Sequence, residues 1–487
     1  MEDFAAKMHL VPTRHFQLFS FYKYLKLRKI ILVLKNEQCL TLGMKITKAV
    51  NKLHLETLLE KLSSHFCKIP SKKNCPATKH NVSNVVIATL AMLFIQDPSL
   101  AQYQRRMQIP LGKNNLLTLF GVTNIPEETQ FRRLLDEVSP KHLLEGLHQC
   151  ILYFQKTNYW KKFRYSDGRY LVLIDATETH RSQKIHCKHC LTYEHKDGRI
   201  EYAHKALVAT LVHPDMPFVV PLLCEEIRNG DGTSKQDCEF NAAKRLLPKL
   251  AKIYNHLDII IVGDGLFSKT TMVSLCNALD LNYIFVAKPR DHKTMMKDIE
   301  GQRKLKGAIK SFSKSGIKNT KNYYEYLSNS IPIANDTEVE SNWFGLRQEK
   351  LSKDGKTSKR TYKNTWITSL KLTPKSVELF AIAGRSRSKI ENETFNALKN
   401  HGYHLEHNYG HGKQNLAFNM IVLNIIAFLL HQLLNMIEKP FIMAIDYSGT
   451  RKMFFGSLKF GIQHILWPDW RYLLEYLAGR KEPIRPT

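Results

Sequence analysis

Three acidic residues in this chain have the types and settings from which a divalent-metal centre is built. Asp175 ends the apolar run LVLI, Asp264 follows IIIVG, and Glu391 lies in the segment GRSRSKIENETFNALKN. A carboxylate at the end of a buried strand is costly unless solvent, hydrogen bonds or a metal balances its charge. Two such aspartates, joined by a glutamate from a helix, would present hard oxygen donors suited to Mg²⁺, with Mn²⁺ as a substitute. Either aspartate alone could equally cap a helix or form a turn. Arg387, four residues before Glu391, could contact phosphate through its directed donors or pair with Glu391 at i,i+4 spacing.

A softer donor set lies in HCKHCLTYEHKDGRIEYAHK, which carries Cys187 and Cys190 followed by His195 and His204. Those four side chains are ligand types for a small tetrahedral zinc site. Their spacing is looser than a zinc-finger pattern, which favours reduced, metal-free cysteines over structural Zn²⁺. Further on, His404, His407 and His411 form a histidine-rich tract for which structural or DNA-facing roles are expected. Lys413 in the same tract is a candidate phosphate contact. Trp343 and Trp366 could stack on an unpaired base, but filling the core of a β-rich region is the preferred reading.

The elements that must position these residues can be read from periodicity. RYLVLIDATETH, EYAHKALVATLVHP and FVVPLLCEEI predict three neighbouring antiparallel strands. DCEFNAAKRLLPKLAKIY predicts a helix, kinked or broken at Pro248. LDIIIVGDGLF predicts a strand, KTTMVSLCNAL a helix and NYIFVAKP a further strand. Three strands, helix, strand, helix, strand is the order expected of an RNase H-like α/β core. At about 100° per residue, Glu391 falls about 40° from Arg387 and Phe395 on the helical wheel, bordering the apolar face. Glu393 points about 160° away and is expected to face solvent.

Ahead of this core, residues 1–155 read mainly as helices, including HLETLLEKLSSHF, VSNVVIATLAMLFI, QFRRLLDEV and HLLEGLHQCILYF. Pro70, Pro76, Pro110 and Gly112 punctuate the connections. A DNA-binding or assembly role fits such a module, and so does simple packing. Residues 165–290 hold the first part of the core and 291–375 a β-rich, basic insertion. Residues 376–440 supply core-completing helices with Glu391, and 441–487 form a tail without an interpretable motif. Residues 301–321 contain seven Lys or Arg and no acid. The whole chain of 487 residues has 72 basic against 44 acidic side chains, a net charge of +28, which points to a polyanionic partner. A hydrophobic content of 43% excludes disorder throughout. Nine scattered cysteines exclude a disulfide scaffold. The opening MEDFAAKMHL lacks a secretory pattern. The apolar run from Asn419 to Ile437 is interrupted by Asn424, His431, Gln432 and Asn435, so a buried helix is expected and no membrane.

The blocks LVLIDATETH, IIIVGDGLFSK and RSKIENETFNALKNHGYHLEHNYGHGKQNLA resemble the IS4-type family of DDE transposases from bacterial insertion sequences. The resemblance covers roughly residues 85–435, and its last block, similar to the YREK-type region, is the most specific. It implies an RNase H-like catalytic core interrupted by a β-rich insertion. It also implies metal-dependent cleavage and strand transfer of double-stranded DNA by a homodimer on paired transposon ends, in the bacterial cytoplasm at the nucleoid. Carried over, the two catalytic, metal-binding aspartates are Asp175 and Asp264 and the glutamate is Glu391. The family arginine falls on Arg387. Its tyrosine, three residues earlier, is replaced by Gly384. Its lysine, seven residues after the glutamate, falls on Leu398, with Lys399 adjacent but about 80° around the helix from Glu391.

Overall fold

A computed structural model describes residues 53–70, 81–229, 236–335, 338–352 and 357–483. The first fifty-odd residues and Pro76, read above as the opening and as a break, lie outside the described residues. The chain divides into two compact units, one of residues 1–150 with 433–487 and one of residues 151–432.

The first unit is helical: α1 (Leu55–Phe66), α2 (Val82–Phe94), α3 (Leu100–Gln108), α4 (Pro110–Phe120), α5 (Glu128–Asp136) and most of α6 (Pro140–Gln155). It also takes α13 (Lys439–Ser448), α14 (Arg451–His464) and α15 (Trp470–Leu477), so the stretch expected as a tail is part of a helical core. Asn115 on α4 shows how. Its side chain donates to the carbonyls of Ile462 and Ile465 and accepts from the Trp467 amide, satisfying the end of α14 that a helix leaves open. The Trp470 indole donates to Leu119 at 2.7 Å, and both tryptophans are buried. Pro110 and Gly112 do not interrupt structure here. Pro110 occupies the first turn of α4, where its missing N–H costs nothing. A Cβ on Gly112 would meet the Arg106 carbonyl at 2.0 Å, so glycine is needed for close approach of α3 and α4.

The second unit is a mixed α/β structure around a ten-stranded mixed sheet. Its strands are β1 (Tyr170–Glu178), β4 (Lys205–Val212), β5 (Val219–Ile227), β6 (Ile259–Gly263), β7 (Asn282–Val286) and β8 (Ile309–Ser315). The sheet continues with β9 (Thr320–Leu327), β10 (Ile331–Pro332), β11 (Glu340–Leu351) and β12 (Ser358–Thr368). A separate hairpin pairs β2 (Leu191–Glu194) with β3 (Ile200–Ala203). The order is β5-β4-β1-β6-β7-β12-β11-β9-β8, with β10 on β11. β5, β4 and β1 are antiparallel neighbours, whereas β6 and β7 run parallel to β1. The runs LVLI and IIIVG are wholly buried, as strands covered on both faces must be. The expected strand EYAHKALVATLVHP is split at His204, because Ile200–Ala203 leaves the main sheet to pair with β2.

The helices of this unit are α7 (Glu239–Ile253), α8 (Thr270–Ala278), α9 (Lys293–Arg303), α10 (Pro374–Arg385), α11 (Asn396–Asn400) and most of α12 (Leu416–Ile437). Pro248 neither breaks α7 nor ends it. The region 291–375 is not a separate sheet. β12 pairs antiparallel with β7, Trp366 opposite Val286, so the insertion prolongs the core sheet. Trp343 and Trp366 are buried at 2% and 0% exposure, which removes the base-stacking role and leaves the core role. Gly384 on α10 faces Trp366: a Cβ there would stand 2.5 Å from the indole Nε1. The indole therefore occupies the space that a tyrosine at position 384 would need.

Among the described residues, α12 is the one helix long and apolar enough to cross a membrane, and 83% of its most apolar window is buried inside the protein. Its polar interruptions are used internally. Asn424 donates to the Tyr403 carbonyl, His431 bonds the Tyr403 hydroxyl, and Gln432 accepts from the Val219 amide. Those bonds mark a core helix.

Candidate functional site

The two aspartates are delivered by adjacent parallel strands. Leu173 is registered on Val262, and Asp175 and Asp264 each lie two residues further toward the C-terminal strand ends. Neighbouring strands stand about 5 Å apart, so the register sets the two residues side by side. Ligands of open α/β sheets bind at this edge. The two carboxylates differ in their partners. Asp264 accepts from the Leu266 amide at 2.8 Å, tightening the turn after β6. Asp175 accepts from its neighbour Ala176 at 2.9 Å and from Arg387 at 3.2 Å.

Glu391 reaches this edge through Arg387. One guanidinium nitrogen of Arg387 meets Asp175 at 3.2 Å, and the other meets Glu391 at 3.0 Å. The i,i+4 pair and the link to a strand-end carboxylate thus coexist in one side chain. Burial pushes the Asp175 carboxyl up to about 6. The Ala176 amide and Arg387 oppose that shift, while Glu239 and Glu391 add to it.

The backbone under Glu391 is not the regular α-helix expected. Residues Ile390–Phe395 form a π-helical turn, which is wider than an α turn and recurs at functional sites. The 100° wheel therefore misjudged the neighbours: the Glu391 side chain is 49% exposed and that of Glu393 35%. Glu393 is held by Lys389, which also donates to the Met216 carbonyl at 2.9 Å. Leu398 is fully buried, and Lys399 pairs with Glu406 at 2.7 Å, an engagement that the sequence did not suggest. Lys413 is exposed in the segment before α12.

A basic cleft missed in the sequence lies beyond the end of β7. Lys288, Arg360 and Lys363 line a space of about 520 Å³ with Tyr362 and Asn364. The Lys288 side chain passes 3.3 Å from the Cβ position of Gly265, next to Asp264. Its signal was the phrase VAKP, a lysine just past a strand that ends beside an acid-bearing one.

The soft donors are brought together, with one exchange. Cys187 and Cys190 sulfurs lie 3.7 Å apart, and His204 Nε2 is 3.3 Å from the first and 3.5 Å from the second. His411 Nδ1 is 3.1 Å from Cys190 Sγ. All four donor atoms lie within 4.8 Å of one another. His195 is not in this group. It closes the β2–β3 turn and pairs with Glu201 at 3.0 Å, because the hairpin carries it away from the cysteines. His411 takes its place from 221 residues beyond Cys190. Cys187 is held below the usual thiol range, first by its hydrogen bond to Cys190 and then by those of His204 and His411.

Compared with known proteins, the chain matches no family model and no curated protein sequence.

Proposed function

We propose that this chain is a DDE-type transposase of the IS4 kind, cutting DNA at the ends of an insertion sequence and joining them to target DNA. The observation that carries the reading is the meeting of Asp175, Asp264 and Glu391 segments at one sheet edge, with Arg387 bridging two of the carboxylates. The order β5-β4-β1-β6-β7, with three antiparallel strands followed by two parallel to the first, supports an RNase H-like core interrupted by an insertion. The net charge of +28 and the cleft of Lys288, Arg360 and Lys363 suit a DNA backbone. A homodimer on paired ends, working at the nucleoid in the bacterial cytoplasm, belongs to the same reading.

The donor chemistry fits a hard cation. Burial pushes the Asp175 carboxyl up to about 6 even with Arg387 in contact, a cost that a bound cation would offset. Asp175, Asp264 and Glu391 would hold Mg²⁺ or Mn²⁺. When bound, such an ion neutralises the reacting phosphate and activates a water or 3′-hydroxyl. Arg387 meanwhile holds Glu391 toward Asp175 and, once released from them, presents two directed donors to a phosphate. Lys288, close beside Gly265 and so beside Asp264, would offer a positive charge to a phosphate backbone there.

The test is cleavage and joining of DNA spanning this gene's own element boundary by the purified chain with Mg²⁺. Cutting followed by joining, both lost in Asp175→Asn, supports the reading. Cutting without joining makes the protein a nuclease, binding without cutting makes it an inactive derivative, and undiminished cutting by Asp175→Asn removes the assigned centre.

A further inference from the structure

We propose that Cys187, Cys190, His204 and His411 form a structural zinc site that clasps the segment after the Glu391 helix to the strands of the core sheet. The metal site is independent of the transposase reading.

The distances carry the argument. A tetrahedral Zn²⁺ with bonds of about 2.3 Å to sulfur and 2.0–2.1 Å to nitrogen sets sulfurs roughly 3.8 Å apart and sulfur from nitrogen roughly 3.6 Å apart. The observed separations are 3.7 Å between sulfurs and 3.1 to 3.5 Å for three of the four sulfur–imidazole pairs, with every donor pair within 4.8 Å. The sulfurs are too far apart for a disulfide, whose bond is about 2.05 Å. Two thiolates and two imidazoles neutralise the charge of a divalent ion and are the soft donors that select zinc over magnesium. Four protein ligands leave no open position, which marks a structural rather than a catalytic site.

The surroundings are built for the cluster. The Cys187 amide points at Cys190 Sγ at 3.3 Å, and the Cys190 amide closes the turn on the Cys187 carbonyl at 3.2 Å. Cys190 and His204 are each 3% exposed. The His204 backbone accepts from the Thr179 amide at the end of β1, so this ligand is anchored to the strand that carries Asp175. The His204 and His411 rings meet edge to face with centroids 4.9 Å apart.

The clasp joins residues 187–204 to residue 411 across the whole insertion. Its loss would loosen the stretch around residue 411, while Tyr403 nearer to α11 stays held by Asn424 and His431.

The full-length chain, purified reduced, is expected to contain about one zinc per chain by elemental analysis. Replacement by Co²⁺ should give the visible bands of a tetrahedral thiolate site. Cys190→Ser and His411→Ala should lose the metal, while His195→Ala should keep it. Should those variants fail to fold, His411→Cys retains four ligands and should strengthen the sulfur-to-cobalt absorption. A reduced wild-type chain that takes up neither Zn²⁺ nor Co²⁺ would overturn the proposal. So would metal retained by His411→Ala but lost by His195→Ala. A zinc-loaded chain that fails to cut DNA would leave the clasp standing and remove only the enzymatic reading.

Discussion

The carboxylates around Asp175 and the thiols around Cys190 share two stretches of chain, residues 175–204 and 387–411, to which the carboxylates add Asp264 from a third, yet they are arranged in opposite ways. The Cys/His group gathers four donors around one point and buries two of its ligands. The acidic group keeps Glu391 half exposed and sets the Arg387 guanidinium between Asp175 and Glu391. A group that surrounds its ion has no room for a substrate, whereas one with open sides can take phosphate oxygens. On the two proposals made above, the difference would separate holding a structure together from acting on a ligand.

The sharpest way to break that contrast is Asp175→Asn. It should lower metal-dependent DNA cleavage by roughly 10²–10³-fold or more, the scale of losing a group that stabilises transition-state charge. Its zinc content should stay at the wild-type value, and a parallel loss of zinc would show the two groups to be one. A buried acid without chemistry supplies the next comparison. Glu438 accepts from the Leu55 amide in the helical unit, and burial pushes it up to about 7. Its folded-state value lies above its unfolded one, so folding stability should fall as pH rises from about 4.5 through 7, by about 3 kcal/mol in all. Denaturation across that range should flatten in Glu438→Gln, while DNA cleavage does not change. An unaltered slope in the variant would place the linkage elsewhere.

Arg387→Met should reduce cleavage by roughly 10–100-fold, as loss of a supporting group around metal ligands does. Its stability should change by only about 1 kcal/mol or less, because both pairs are partly solvated. Equal losses in rate and stability would recast the arginine as a packing residue. Smallest of the four, Gly384→Ala should destabilise by about 1–2 kcal/mol through the clash with Trp366, measured by urea titration. Full stability would show that the indole can withdraw.

Local pattern made much of this legible. Apolar runs of four or five residues announced β1 and β6, and the polar residues just after them gave Asp175 and Asp264. Long-range closure was not legible. His195 and His411 look alike in sequence, and only the β2–β3 hairpin decides which one meets Cys190. The π-helical turn was hidden for a related reason: its composition is that of an ordinary helix, so residue spacing gave the wrong face for Glu393. Gly384 became interpretable once Trp366 was seen against it, since a glycine's reason is a neighbour that the local sequence does not contain.

The pairing of β12 with β7 has a consequence for anyone who would shorten this protein. Cutting out the stretch between Asp291 and Pro374 would strip a flank from Asn282–Val286 and leave its unsatisfied amides as an adhesive border. Such a trimmed molecule should clump during expression unless a new border strand is grafted in its place.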